Sequence, residues 1–362
     1  MNGKARHPTD IPLTRFLSPS GEAQEAWPDF AQRTETLIDL YRGMVITRTF
    51  DAKAVALQRT GRLGTFASSL GQEAVAVGVG AAMAADDVLL PSFREQGAQF
   101  IRGTSMVELL LYWGGDERGS DFAGPREDFP ICVPVGTHAP HAVGVALAMR
   151  LRDERRAAVC VLGDGATSKG DVYEAMNLAG AWDLPVVFVV NNNEWAISVP
   201  RHAQTAAATL AQKAVAAGFP GEQVDGNDVI AVRHVMERAL ARARKDHQPS
   251  LIEALTYRLS DHTTVDDASR YRDDAEVSAR WKEEPVVRLR NFLVSEGQWD
   301  KAREEALLGE SKRMVDQAAE EYLAIAPQPP ETIFDYLYAD LPDSLADQRA
   351  ELLAASAERR DD

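Results

Sequence analysis

The stretch VLGDGATSKGDVYEAMNLAGAWDLPVVFVVNNNEWAIS, residues 161–198, predicts a strand, a helix and a second strand in that order. An apolar run (157–163) ends at a glycine, an amphipathic segment (170–182) follows, and a second apolar run (185–191) leads into asparagines. Continuous apolar strands joined through a helix are typical of parallel sheets with helices on both faces. The right-handed crossover of such a unit brings both strand ends to one edge of the sheet.

The rest of the chain repeats this alternation of strands and helices. A short strand that leads into a loop is predicted within 88–97, and another strand is predicted at 250–258. Apolar spacings of three and four predict a helix over 34–59, and an almost wholly apolar segment predicts a buried helix over 71–85. Further helices are predicted over 105–113, 140–152, 205–217 and 228–246. The predicted fold class is α/β, with a doubly wound, mostly parallel sheet. We divide the chain into an N-terminal arm (1–33), an α/β domain (34–272) and a C-terminal helical extension of that domain (273–362).

The composition restricts the kind of partner that the chain can bind. Its formal net charge is −16 at pH 7, which argues against binding to nucleic acid or to an anionic membrane through general charge. No apolar run reaches the roughly 18 residues that a membrane span needs. The polar residues 1–10 lack the apolar core of a secretion signal. With Cys132 and Cys160 as its two cysteines, we expect a cytoplasmic protein with reduced thiols.

Asp164 lies between two glycines at a predicted strand end, where backbone amides often approach a phosphate. Neither common phosphate motif fits, because Gly170 comes two residues too late for GxGxxG, and GATSKGD lacks the lysine and hydroxyl that complete a P-loop. The first mismatch argues against a nicotinamide-binding enzyme. A carboxylate beside a phosphate becomes favourable when a divalent cation lies between them.

Asn193 provides a second oxygen ligand for such a cation. It lies 29 positions after Asp164 and follows the second strand of the predicted crossover. Mg²⁺ prefers oxygen ligands, with one or two from side chains and the rest from phosphate and water. A helix beginning near Ser168 would add N-terminal amides for the phosphates. Alone, GDG is most simply a tight turn and NNN a polar loop, but their spacing across one crossover favours the metal-site interpretation.

These segments resemble the thiamin diphosphate motif of the 2-oxo acid dehydrogenase family, and the chain is similar to the α subunit of its E1 component. The resemblance covers about residues 35–340 and includes SFREQGAQFIRG (92–103), VDGNDVIAV (224–232) and SLIEALTYRLSDHTTVDDASRYR (250–272). It implies the thiamin diphosphate-binding fold, with thiamin diphosphate and Mg²⁺ as cofactors. It also implies oxidative decarboxylation of a small 2-oxo acid, followed by acyl transfer to the lipoyl group of the E2 acyltransferase.

The resemblance assigns roles to individual residues. The implied metal ligands are Asp164, Asn193 and the carbonyl of Trp195. The implied cofactor-binding residues are Phe93, Arg94, Gly163, Gly165, Ala166, Asn191 and His262, and His262 is also the implied catalytic residue. The implied substrate pocket contains Thr65, Phe66, Val133 and Val135. Phe93 and Trp195 stand where the family usually has tyrosine, and Asn191 stands where branched-chain members have arginine.

Several alternatives accompany this assignment. Pyruvate is the favoured substrate, and branched-chain 2-oxo acids and acetoin are the alternatives. A non-catalytic scaffold is the hypothesis from another class. Thiamin catalysis requires a glutamate that split family members carry on the β subunit, so the resemblance implies an α2β2 heterotetramer. His138 and His141 are expected to be structural rather than metal ligands, and Asp266 and Asp267 are expected to fix their loop through Arg270 or Arg272.

Overall fold

The computed structural model describes residues 11–24, 26–335 and 337–358. Residues 1–10, on which the expectation about secretion rests, lie outside that range. The strands are β1 (Leu13–Thr14), β2 (Val88–Leu90), β3 (Ala158–Gly163), β4 (Val186–Asn192), β5 (Trp195–Ala196), β6 (Val199–Pro200), β7 (Gly221–Asp225) and β8 (Ser250–Leu255). The helices are α1 (Thr34–Arg59), α2 (Glu73–Ala82), α3 (Gln96–Arg102), α4 (Met106–Trp113), α5 (His138–Leu151), α6 (Gly170–Ala181), α7 (Arg201–Gln204), α8 (Lys213–Ala217), α9 (Val229–Asp246), α10 (Asp274–Arg280), α11 (Pro285–Ser295), α12 (Lys301–Ala324), α13 (Thr332–Asp335) and α14 (Asp343–Glu358).

Six of these strands form one parallel sheet in the order β1-β7-β8-β4-β3-β2. Strands β3 and β4 are neighbours, so the β3–α6–β4 unit has the predicted arrangement. The separate pair β5–β6 is a short antiparallel hairpin directly after β4. The predicted α/β class with a parallel sheet is confirmed.

Each face of the sheet has its own apolar core, because successive side chains of a strand point to opposite faces. On one face Val159 and Val161 of β3 join residues of α1, α2 and α9. On the other face Cys160 and Leu162 join residues of α5, α6 and α8. The two cores show why the strands are apolar at every position rather than at alternate positions.

The described part of the N-terminal arm adds the edge strand β1 to the sheet. Leu13 and Thr14 pair with β7, and Arg15 forms an ion pair of 2.6 Å with Asp225. Asp228, the N-cap of α9, fixes the next turn, since its Oδ2 accepts hydrogen bonds of 2.7 Å from the amides of residues 16 and 17.

Some predicted elements were wrong or missing. The predicted helix over 205–217 consists only of α8 at its end, and α7 precedes it. Strand β7 and helix α3 were not predicted. Helix α6 begins at Gly170, as the segment 170–182 predicted, and a 3₁₀ turn (Asp164–Ser168) precedes it. Helix α2 is buried inside the chain, where Gly78 and Gly80 allow close contact with α9 and α3.

The chain divides into a larger compact unit that ends at Ala319 and a smaller one that begins at Glu320. The smaller unit contains α13 and α14. The predicted boundary near residue 273 stays a prediction. Among the described residues, none of the helices combines the length and the hydropathy that a membrane span requires.

Candidate functional site

One cavity lies at the carboxyl ends of the central strands, which is where open parallel sheets bind ligands. All ten residues that the sequence analysis assigned to a cofactor or a metal line it, and so does Val135 of the predicted substrate pocket: Phe93, Arg94, Val135, Gly163, Asp164, Gly165, Ala166, Asn191, Asn193, Trp195 and His262. Apart from Val135, they belong to the segments at the ends of β2, β3, β4 and β8. The parallel topology therefore brings together segments that are far apart in sequence.

Asp164 has a buried carboxylate at the carboxyl end of β3. It is 2% exposed and begins the 3₁₀ turn after β3. Among the described residues no ion pair satisfies it, and its Oδ2 accepts a hydrogen bond of 2.5 Å from Nε2 of Gln204. Burial raises the pKa of the Asp164 carboxyl, and the hydrogen bond from Gln204 opposes that rise. A buried, unpaired carboxylate is costly unless a cation binds to it.

The turn that carries Asp164 is held rigidly and leaves no room at Gly165. A Cβ atom added at Gly165 would lie 2.6 Å from Cβ of Ala196 in β5. Beneath the turn, Nζ of the buried Lys213 donates hydrogen bonds of 2.7 and 2.9 Å to the carbonyl and hydroxyl oxygens of Thr167. The β5–β6 hairpin therefore lies directly against the backbone that follows Asp164.

Asn193 has a fixed orientation at the end of β4. Its Nδ2 donates a hydrogen bond of 3.0 Å to Oε1 of Gln72, and its Oδ1 accepts one of 3.2 Å from the amide of Trp195. Two buried polar atoms nearby, Nε2 of Gln72 and Oδ1 of Asn191, have no hydrogen-bond partner among the described residues. Buried polar atoms are normally satisfied, so these two indicate a place for a ligand or water.

Two buried guanidinium groups, those of Arg94 and Arg258, flank His262. Arg94 Nη2 donates a hydrogen bond of 2.7 Å to the His262 carbonyl and lies 3.1 Å from His262 Nδ1. Arg258 Nη1 lies 3.4 Å from the same ring nitrogen. Within the described part of the chain neither guanidinium has an ion-pair partner. Burial lowers the pKa of Arg94 to about 10, and the charge of Arg258 adds to that shift.

His262 is therefore a neutral imidazole. Because Nδ1 faces two donors, it accepts, and the ring proton resides on Nε2. Burial, together with the positive charges of Arg94 and Arg258, lowers the pKa of His262 to about 4. The edge of the ring meets Phe93, with ring centroids 6.1 Å apart.

The loop around His262 is fixed differently from the sequence expectation. Asp266 accepts hydrogen bonds from the amide of His262, at 2.9 Å, and from the hydroxyl of Tyr271. Arg272 donates to backbone carbonyls, including that of Ser260 at 3.1 Å, and Asp267 accepts from a serine hydroxyl. The predicted pairing of the two aspartates with Arg270 or Arg272 was wrong, because backbone amides and Tyr271 already satisfy Asp266.

Three residues assigned to the substrate pocket do not line the cavity. Thr65 and Val133 are exposed. Phe66 is fully buried in a cluster of aromatic rings, in edge contact with Phe50 and Trp113. The Phe66 amide donates to the Thr264 hydroxyl, and the Thr264 amide donates to the Phe66 carbonyl. Phe66 therefore holds the loop that carries His262 and does not line the cavity. Val135 is the one pocket residue of the four that borders the cavity.

The model of the family described as "Dehydrogenase E1 component" matches residues 41–331. The chain belongs to the dehydrogenase E1 component family. Over 324 residues it is 42% identical to the 3-methyl-2-oxobutanoate dehydrogenase subunit alpha of Mycobacterium tuberculosis, a match that covers 89% of this chain and 88% of that protein.

Relatives named for pyruvate are similar to nearly the same degree. The chain is 38% identical over 340 residues to the pyruvate dehydrogenase E1 component subunit alpha of Staphylococcus aureus, covering 93% of this chain and 91% of that protein. It is 37% identical over 315 residues to the protein of the same name from Mycoplasma genitalium, covering 87% and 88%. The resemblance stated from the sequence is confirmed, and the pyruvate and branched-chain interpretations are both supported.

In this E1 component chain, three side chains at the site were missed from sequence. Gln72, Arg258 and Gln204 were not assigned a role from sequence, although Arg258 lies in the segment 250–272 that carries the resemblance. Their partners are 121, 4 and 40 positions away, and the sequence carries no signal that points to these contacts.

His138 and His141 do not form a pair in this E1 component chain. His138 is buried, and its Nε2 donates to the carbonyl of Val161 at 2.6 Å. Its Nδ1 has no partner among the described residues. His141 is exposed and stacks on Phe129, with ring centroids 6.1 Å apart. No cluster of three or more histidine, cysteine or acidic side chains suited to a metal occurs in the part of the chain that the structure describes.

Proposed function

We propose that this chain is the α subunit of a 2-oxo acid dehydrogenase E1 component and that its cavity binds thiamin diphosphate through Mg²⁺. One observation carries the proposal: the Asp164 carboxylate and the Arg94 guanidinium line one cavity, Arg258 contacts His262 of the same lining, and none of the three forms an ion pair within the described residues. A divalent cation bridges a carboxylate to a diphosphate. Guanidinium groups suit phosphate and carboxylate oxygens.

The residues present fit the metal. Asp164 and Asn193 would contribute side-chain oxygens and Trp195 its carbonyl oxygen. Because the amide nitrogen of Asn193 donates to Gln72, its amide oxygen is identified as the acceptor, with a lone pair left beside the bond from the Trp195 amide. The absence of a Cβ atom at Gly165 lets the β5 backbone, which carries Trp195, approach the Asp164 turn.

The residues also fit a diphosphate. Unpartnered polar atoms of Gln72 and Asn191 border the cavity, and Arg94 supplies positive charge there. When bound, thiamin diphosphate supplies the carbon nucleophile and the electron sink for decarboxylation of a 2-oxo acid. The neutral His262 would donate its Nε2–H to an anionic oxygen of the cofactor or the substrate, because Arg94 and Arg258 face its other ring nitrogen, Nδ1.

A second subunit completes this site. Of the cavity-lining residues, Glu95 is the one glutamate, and its Oε2 accepts from the Ser92 hydroxyl at 3.0 Å and from the Arg94 amide at 3.2 Å. We assign Glu95 to holding this turn, so the glutamate that activates the cofactor comes from a β subunit. Val135 and Ile197 border the cavity yet are 49% and 54% exposed, which suits a protein contact in an α2β2 heterotetramer. The E2 lipoyl acyltransferase is the proposed acyl acceptor.

Pyruvate and a branched-chain 2-oxo acid are the two leading substrate candidates for this enzyme, and acetoin is a further alternative. The sequence favours pyruvate, whereas the relative that shares 42% identity is named for 3-methyl-2-oxobutanoate, a branched-chain 2-oxo acid. Decarboxylation rates of the reconstituted αβ enzyme with the two acids, measured at equal concentration, decide between them. We also propose a cytoplasmic location, supported by the two free cysteines, Cys132 and Cys160.

The test of the proposal is co-expression with the β subunit followed by calorimetric titration with thiamin diphosphate, with and without Mg²⁺. We expect a complex that binds the cofactor only when the metal is present. Thiamin diphosphate binding that does not depend on Mg²⁺, or the absence of thiamin diphosphate binding by an intact αβ complex, contradicts the proposal. The second outcome would support the non-catalytic scaffold instead, against which the intact Asp164 and Asn193 already argue.

A further inference from the structure

Gln204 connects two parts of the cavity wall. It is the last residue of α7, and its Nε2 donates hydrogen bonds to Oδ2 of Asp164 at 2.5 Å and to the carbonyl of Val199 at 3.2 Å. Asp164 belongs to the turn after β3, and Val199 belongs to the β5–β6 hairpin that also carries Trp195. One carboxamide thus joins the turn and the hairpin on which the proposed metal ligands lie.

The direction of this carboxamide is determined by its surroundings. Both neighbours of Nε2 are oxygen acceptors, and an amide turned the other way would place Oε1 against a carboxylate oxygen and a carbonyl oxygen. The Oε1 atom of Gln204 is itself buried and has no hydrogen-bond partner among the described residues. The contacts that hold the side chain are therefore those of Nε2.

Asp164 depends on this contact for its orientation. Its side chain is buried and forms no ion pair within the described residues, so the Gln204 amide is the side-chain donor that holds Oδ2. A hydrogen bond to one carboxylate oxygen restrains rotation about the last side-chain bond and so favours one direction for the other oxygen. Partners that orient a metal ligand in this way typically change metal affinity about 10- to 100-fold when they are replaced.

We propose that Gln204 is a positioning residue of the metal site, which orients the Asp164 carboxylate and ties the Trp195 hairpin to it. The inference rests on the proposed function, because it concerns the same site. Gln204 does not touch the metal. It lowers the cost of metal binding by holding in advance the geometry that Asp164 and Trp195 need to share one cation.

The test replaces Gln204 by Met, which keeps the length of the side chain and removes the donor. Full-length α chain is co-purified with its β subunit, and Mn²⁺ is titrated in the presence of saturating thiamin diphosphate, with free Mn²⁺ measured by electron paramagnetic resonance. We expect the Mn²⁺ dissociation constant of Gln204→Met to rise about 10- to 100-fold. Gln204→Ala, which removes the side chain without adding an apolar one, should behave in the same way. His202→Ala, an exposed position on the same helix α7, is the matched control and should bind as the unchanged protein does.

A second measurement separates positioning from damage to the fold. In the αβ enzyme, the Mg²⁺ concentration for half-maximal activity should rise by a similar factor for Gln204→Met, while kcat at saturating Mg²⁺ stays within about threefold and the metal-free melting temperature is unchanged. Wild-type Mn²⁺ affinity in both variants overturns the inference and leaves the proposed function intact. A lower metal-free melting temperature with activity that excess Mg²⁺ does not restore assigns Gln204 a structural role and also overturns it. Failure of the unchanged αβ complex to bind Mn²⁺ with the cofactor overturns the inference and the proposed function together.

Discussion

Gly163 and Asn191 lie opposite each other in the register of the neighbouring parallel strands β3 and β4. This pairing determines where the polar side chains beyond the two strands emerge. Asp164 is the next residue after Gly163, and Asn193 comes two residues after Asn191, so both reach the same cavity. A register shift of one residue would turn the side chains of one strand to the opposite face and separate them.

Replacing Asp164 by Asn tests the charge on which the metal site depends. We expect Asp164→Asn to lower the affinity for thiamin diphosphate in the presence of Mg²⁺ by at least about 100-fold, because a neutral amide is a far weaker magnesium ligand than a carboxylate. The fold should persist, since the new side chain has the same shape. Calorimetry of the αβ complex measures the affinity, and circular dichroism checks the fold.

The matched control for this variant is Asp183→Asn. Asp183 is exposed, has a positive φ of 47° that asparagine tolerates, and lies at the other end of α6. It should bind the cofactor as the unchanged chain does. Equal affinity in Asp164→Asn and Asp183→Asn would show that Asp164 does not hold the metal.

Two glycines near Asp164 separate a packing effect from a cofactor contact. A Cβ atom at Gly165 would lie 2.6 Å from Ala196, so Gly165→Ala should displace the β5–β6 hairpin at a cost of about 1–3 kcal/mol in unfolding free energy. A Cβ atom at Gly163 meets nothing within 4 Å. Gly163→Ala should therefore leave stability unchanged and weaken cofactor binding alone.

Denaturant unfolding and cofactor titration of both glycine variants check this prediction. Gly170→Ala, where a Cβ atom also meets open space but outside the cavity lining, is the control for both measurements. If Gly163→Ala binds the cofactor normally, the cofactor does not pass close to the end of β3.

The sequence predicted the centre of the sheet better than its edge. Strands β3 and β4 are continuous apolar runs buried on both faces, and that pattern is visible in a single sequence. Strand β7 is GEQVD, with only its last two residues buried, and it becomes a strand because β1 and β8 pair with it. Such pairing is a tertiary effect that local composition does not contain.

The incorrect prediction of a helix over 205–217 also results from contacts that local sequence does not show. Its alanine-rich sequence satisfies a helical pattern, but Arg201 donates hydrogen bonds to the carbonyls of Thr205 and Ala207, at 3.5 and 3.0 Å, and holds that segment as a loop. Within the site, residue types and crossover spacing were enough to select Asp164 and Asn193. The roles of Arg258 and Gln204 were not predictable, because their contacts exist only once the loops are folded together.

The neutral state of His262 predicts how stability responds to acid. The folded pKa of about 4 lies below the ordinary value of 6.5, so the unfolded chain binds a proton on this residue at a higher pH than the folded chain does. Stability from this source is present above about pH 6.5 and is lost as the pH falls toward 4. His262→Gln should unfold with a weaker pH dependence between pH 7 and 5, measured by denaturant titration.

His202→Gln, at an exposed position, is the control for that experiment and should retain the pH dependence of the unchanged chain. Nitrogen NMR of the folded protein gives an independent check, because we expect a neutral ring with its proton on Nε2 at pH 6. A doubly protonated His262 ring at that pH would contradict the arrangement in which Arg94 and Arg258 both face Nδ1.

Replacing Arg94 tests whether its buried charge is there for an anion. Arg94→Met removes the guanidinium and keeps an unbranched chain of similar reach. We expect the affinity of the αβ complex for inorganic pyrophosphate in the presence of Mg²⁺ to fall about 10- to 100-fold, since hydrogen bonds to charged groups contribute about 1.5–3 kcal/mol each. The pyrophosphate affinity of Arg94→Lys should lie between those of the unchanged chain and Arg94→Met. A lysine keeps the charge but loses the planar guanidinium that donates to the carbonyls of Ser68 and His262.

Arg102→Lys is the matched control, because the side chain of Arg102 is also buried but already pairs with Asp128 away from the cavity. Pyrophosphate affinity that is unchanged in Arg94→Met would show that this guanidinium serves the His262 loop alone and that the anion binds elsewhere.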